Sequence, residues 1–112
     1  MHSNSTRLQT LTLIALLAFM MACRKTPQQL IVGKWQDVDG SLQLQFFPDG
    51  TTTAIEGPNV EFGTYSFPDA THLKIVTRVD ISVFDIDTLT RESLVMKHEG
   101  LMYHKGAFKR VN

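Results

Sequence analysis

From Ile31 onward the chain alternates between extended runs and turn residues about every 8–12 positions, and nowhere in that stretch do apolar residues recur at the 3.6-residue spacing of a helix. Such a chain can bury its apolar side chains only in an all-β architecture. The first strand is expected at Val32–Val38, closed by the hairpin dipeptide Asp39-Gly40. The second, Ser41–Phe47, puts Leu42, Leu44 and Phe46 on one face and Gln43 and Gln45 on the other. Pro48-Asp49-Gly50 turns the chain into the β-branched run Thr51–Ile55, and Gly57-Pro58-Asn59 leads into Val60–Phe67. A fifth strand follows at Thr71–Arg78, with Leu73, Ile75 and Val79 alternating against Lys74, Val76 and Arg78, and a sixth at Asp80–Ile86. Asp87-Thr88 is read as the next turn. A seventh strand at Leu89–Glu99 is broken near Arg91-Glu92, and an eighth at Leu101–Lys109 carries a bulge at Gly106.

Eight short strands joined by short turns predict an antiparallel up-and-down meander closed into a barrel, since closure removes the open edges that invite aggregation. A small β-sandwich is the alternative, because alternation does not specify closure. A barrel of eight strands is either filled by its own side chains or just wide enough for one small ligand.

Several chemistries find no support in the residues. The eleven Lys/Arg balance the eleven Asp/Glu, and no basic face suggests nucleic acid. One cysteine, Cys23, excludes a disulfide framework. His72, His98 and His104 are read as exposed surface residues, with His98 and His104 facing across the last hairpin, so neither a metal site nor a cofactor is expected. Asp80, Asp85 and Asp87, with Glu92 nearby, form an acidic cluster. Ile86 interrupts it and no glycine follows, so it is not a calcium loop. With no Gly-x-Ser-x-Gly, no phosphate loop and no paired carboxylates, the chain is not read as an enzyme.

The N-terminal segment points to an address. Arg7 precedes the apolar run Leu11–Ala22, and Arg24-Lys25 follow Cys23, which is the layout of a secretory signal. The run is too short to span a bilayer, which takes about 20 apolar residues. Met20-Met21-Ala22-Cys23 resembles the lipobox of bacterial lipoproteins, with Met20 where Leu is usual. That resemblance implies cleavage after Ala22 and a membrane anchor through lipid, palmitate included, on Cys23. It also implies the outer membrane, because Arg24 stands where an inner-membrane retention signal has Asp. The expected organisation is a signal peptide over 1–22, a lipidated cysteine and linker over 23–30, and a barrel domain over 31–112.

Four further stretches resemble the small bacterial lipocalin-like domains: Gly33-Lys34-Trp35, Phe46-Phe47-Pro48-Asp49-Gly50-Thr51, Gly63-Thr64-Tyr65-Ser66 and Phe108-Lys109-Arg110. The resemblance implies that Gly33, Trp35 and Arg110 close the barrel floor, with the arginine across the indole ring. It also implies a small apolar ligand, for which Phe46, Phe62 and Tyr65 are the candidate contacts. The alternative is a plugged barrel that contacts another envelope protein through surplus aromatic surface.

Overall fold

A computed structural model describes residues 25–99 and 105–112. The expected signal peptide, Cys23 and the first residues of the expected eighth strand lie outside those residues. After a five-residue helix α1 (Pro27–Ile31) come eight strands: β1 (Gly33–Asp37), β2 (Leu42–Phe46), β3 (Thr51–Glu56), β4 (Asn59–Asp69), β5 (His72–Thr77), β6 (Ile81–Leu89), β7 (Ser93–His98) and β8 (Lys105–Val111). Each strand pairs antiparallel with its predecessor, and β8 returns to β1, closing a barrel in sequence order. Closure rules out the sandwich.

Alternation settles which side chains enter. Leu44 and Phe46 from β2, Leu73 from β5, Leu94 and Met96 from β7, Phe108 from β8 and Trp35 from β1 are buried inside. Tyr65, Phe67, Ile75, Phe84, Ile86 and Leu89 pack against them. Thr52, the one buried polar residue among those described, donates its hydroxyl to the Gln45 carbonyl at 2.8 Å, which satisfies it inside the barrel. At Gly63 a Cβ would lie 2.6 Å from the Val76 carbonyl oxygen, so β4 and β5 can approach as they do only with glycine there.

α1 occupies sequence read as linker. Its start was legible: Thr26 and Gln29 form a capping box, the Thr26 Oγ1 accepting from Gln29 N at 3.3 Å and the Gln29 Oε1 from Thr26 N at 3.0 Å, with Pro27 in the first turn. Ile31 is fully buried, so the helix closes one end of the barrel. Its C-terminal carbonyls are then held from the barrel itself. The Trp35 Nε1 donates to Ile31 O at 2.8 Å. Arg110 Nη1 donates to Val32 O at 2.7 Å, its Nη2 to Leu30 O and its Nε to Arg91 O. Trp35 and Arg110 are register partners across β1 and β8, and the guanidinium carbon sits 4.4 Å from the indole centroid. Gly33 has φ +135°, and a Cβ there would run into the Arg110 guanidinium.

Four local expectations are corrected. The Asp39-Gly40 hairpin is a longer turn, since β1 ends at Asp37 and β2 starts at Leu42; the Gln36 amide spans it, donating to Gly40 O and Leu42 O at 3.2 Å. β6 runs on through Asp87-Thr88, where a register shift lies between Ile86 and Thr88, and the turn falls at Thr90–Glu92 instead. There the Thr90 hydroxyl accepts from Ser93 N at 3.0 Å. Gly106 keeps regular register with Met96; its missing side chain makes room for the Phe108 ring, whose Cε2 would be 2.9 Å from a Cβ. Val79 lies in the β5–β6 turn and is exposed.

The β2–β3 turn is fastened by Asp49, whose Oδ1 accepts from Thr51 N at 3.0 Å and Thr51 Oγ1 at 2.6 Å. These bonds, the hydroxyl first, hold the Asp49 carboxyl below its ordinary range. A depressed carboxylate contributes stability that is complete above its ordinary range and lost as pH falls through the folded value. NMR titration should therefore find Asp49 below the ordinary carboxylate range, and Thr51→Val should return it toward that range and remove this part of the acid sensitivity. Arg110→Met removes the ring contact and frees three carbonyls, and should lower unfolding free energy by about 2–4 kcal/mol. Trp35→Phe orphans the buried Ile31 carbonyl and should cost about 1–3 kcal/mol in urea denaturation.

Candidate functional site

The three residues expected to meet a ligand do not line one cavity. Phe46 is buried and stacks edge-on against Tyr65, with centroids 5.0 Å apart at 85°. The Tyr65 hydroxyl donates to Phe47 O at 2.7 Å, and burial, then the Asp49 charge, pushes its phenol above the ordinary range. Phe62 is on the other face of β4 and is 70 % exposed. Two of the three are therefore core, and the third is outer surface. Trp35, Leu73 and Leu94 are fully buried inside the barrel.

Exposed apolar surface gathers instead at the end of the barrel opposite α1. The β3–β4 and β5–β6 turns both lie at that end, because the meander alternates direction. Val60 and Phe62 on β4, Val79 in the turn and Ile81 at the start of β6 are all exposed. A shallow open cleft lined by Val76, Thr77, Arg78, Val79, Asp80 and Ile81 lies at the β5–β6 turn. The β3–β4 hairpin outruns its neighbour. β3 pairs with β4 from Asn59, through a two-residue loop with Gly57 at φ +58°, whereas β5 pairs with β4 only from Gly63. Residues 59–62 therefore present a strand edge toward the β5–β6 turn.

A second grouping sits on the outer wall. β4 ends and β5 begins around a tight turn in which Asp69 Oδ1 accepts from Thr71 N at 2.9 Å. The same carboxylate brackets His72 Nδ1, at 2.7 Å and 2.9 Å. The other ring nitrogen, Nε2, faces Asp85 Oδ1 at 2.6 Å and Glu99 Oε1 at 3.2 Å. Register explains the convergence. His72 is directly opposite Asp85 on β6, and Glu99 N donates to Val83 O, two residues back on the same strand. The hydrogen bond to Asp69 is the chief cause that raises the His72 imidazole above its ordinary range, with the surrounding acids adding to it against partial desolvation. The same bond holds Asp69 below the usual carboxylate range.

His72 is thus 28 % exposed and bracketed by carboxylates, not a free surface histidine. His98 also turns inward, its ring edge-on to Phe84 with centroids 5.1 Å apart, while His104 lies outside the described residues. The acidic cluster expected in sequence is dispersed. Asp80 caps the start of β6 through Ile81 N at 2.8 Å, Asp87 lies 3.6 Å from Lys105 Nζ, and at Glu92 the backbone carbonyl accepts from Arg110 N. Sequence reading missed the real grouping because Asp69, His72, Asp85 and Glu99 come from three segments. Only the Asp69/His72 spacing was local enough to be seen.

Fold and surface define a filled eight-stranded meander barrel, floored by a short helix and carrying its distinctive residues on the outside. No known protein family, curated protein or solved structure matches the chain.

Phe62→Ser and Ile81→Ser remove exposed side chains and should change unfolding free energy by no more than about 0.5 kcal/mol. Phe46→Ala opens the core and should cost about 3–5 kcal/mol. Urea midpoints on the three variants check the division between surface and core.

Proposed function

We propose that this chain is a lipid-anchored, non-enzymatic protein of the bacterial cell envelope, carried on the outer membrane, whose barrel supports a protein-binding surface at the β3–β4 and β5–β6 hairpins. The observation that carries this reading is the filled interior. Trp35, Leu73 and Leu94 are fully buried where a ligand would sit, so carriage of a small apolar molecule would require the core to be displaced.

The anchor rests on the apolar run ending at Ala22-Cys23 and on the resemblance to a lipobox. Two acyl chains exceed the single-chain limit of stable membrane attachment. Among the described residues no helix is long and apolar enough to cross a membrane. Three residues separate Cys23 from Pro27, four residue steps with a reach of about 14 Å. The α1 end of the barrel therefore faces the bilayer, and the exposed Val60, Phe62, Val79 and Ile81 face away from it. Apolar surface held away from lipid suits another protein. The strand edge at 59–62 suits a partner that lays an extended segment along it, with backbone bonds supplying affinity and Phe62 a side-chain anchor.

Native mass spectrometry of the full-length protein extracted from its own membranes should show diacylglycerol mass on Cys23 and no further component released on denaturation. A releasable apolar molecule at one per chain would overturn the filled-barrel reading in favour of carriage. Cross-linking in the same membranes should yield one partner band, lost in the Phe62→Ser, Ile81→Ser double variant while its circular dichroism is unchanged. A band that persists in that variant would overturn the assignment of this surface.

A further inference from the structure

We propose that His72, Asp85 and Glu99 form a binding site for a divalent transition ion of the zinc class, with Asp69 as the residue that positions the imidazole. One ring nitrogen and two carboxylate oxygens, from β5, β6 and the segment after β7, lie within 4.8 Å of one another. The site does not depend on the hairpin surface or on the anchor.

Three features distinguish this group from an ordinary exposed ion pair. The first is orientation. Asp69 holds Nδ1 at 2.7 Å, so that nitrogen keeps its proton, and Nε2, directed at the Asp85 and Glu99 oxygens, gives up its own proton to solvent when an ion takes that place. A carboxylate behind a histidine is the arrangement that fixes tautomer and ring direction in histidine–metal sites, and it raises the basicity of the ligating nitrogen.

The second is separation. Bonds of about 2.0–2.1 Å place neighbouring ligand atoms about 3 Å apart in octahedral coordination and about 3.4 Å apart in tetrahedral. Nε2 stands 3.2 Å from Glu99 and 2.6 Å from Asp85. A small outward rotation of the half-exposed Asp85 side chain admits the ion, and the solvent side leaves room for water in the remaining positions.

The third is charge. Three carboxylates converge on one imidazole, so the group stays negative even when the ring is protonated. On β8, Lys105 pairs with Asp87 at 3.6 Å and not with the ligand set. A nitrogen together with two oxygens favours zinc, cobalt or nickel over calcium and magnesium, which take oxygen.

The test is titration of the chelator-stripped full-length protein in detergent with Zn2+ and with Co2+, followed by calorimetry and by the cobalt absorption spectrum. One ion per chain should bind, and a tenfold excess of Mg2+ or Ca2+ should not displace it. His72→Gln should abolish saturable binding, while His98→Gln should leave it unchanged. Asp69→Asn keeps every ligand and should weaken binding by about 10–100-fold with the same stoichiometry. Zn2+ should also raise the thermal midpoint of the wild type and not that of His72→Gln, whose fold is checked by circular dichroism. Absence of saturable binding up to millimolar zinc overturns the site. So does binding that survives His72→Gln, or equal competition by Mg2+.

Discussion

The contact between Arg110 and Trp35 is the constraint on which the rest of the molecule depends. Removing open edges favours closure of an eight-stranded meander, but burial alone does not set the register in which its first and last strands meet. Here the two residues are register partners on β1 and β8, ring against guanidinium. Each also turns its polar atoms toward α1 and, for Arg110, toward the β6–β7 turn. One pair thereby fastens the seam, caps the helix whose carbonyls would otherwise point at the barrel floor, and fixes the adjacent turn. Gly33 is tied to it sterically, since no side chain fits beside the guanidinium.

Closing the floor in this way decides what the interior can be. Trp35 shares the interior with Leu44, Phe46, Leu73, Leu94, Met96 and Phe108, all of them buried. In a barrel of this strand number and these short strands, little room remains for a guest. The features that set this barrel apart then lie on the outer wall and at the hairpins. The two features that stand out there are of different kinds. One is an apolar strand edge that outruns its neighbour; the other is a histidine held among three acids. They sit on different parts of the wall and make independent demands on a partner or an ion.

The strand pattern was legible because it is local. Alternation in Leu42–Phe46 and Leu73–Ile75 named the inward residues correctly, and the Gly57-Pro58 turn fell where it was read. The errors have local causes too. Asp87-Thr88 carries turn residues, but cross-strand pairing with β7 holds β6 together through a register shift. Gly106 looked like a bulge because a strand glycine leaves its reason unstated, and the reason is a ring two residues away that reaches back over it. The helix was passed over because five residues are too few to show a period, although Thr26-Pro27-Gln28-Gln29 spells its cap.

What the amino-acid order determined by itself is the class of fold and its strands, since period-2 burial and turn chemistry act between near neighbours. Tertiary structure decided the shear of one strand against the next, and with it every grouping that matters for function. Phe46 and Tyr65 went to the core and Phe62 to the surface because faces alternate along strands whose register only the closed sheet fixes. His72 met Asp85 and Glu99 for the same reason: residues far apart in the chain become neighbours only when hydrogen-bond pairing sets which rung of each strand lies beside which.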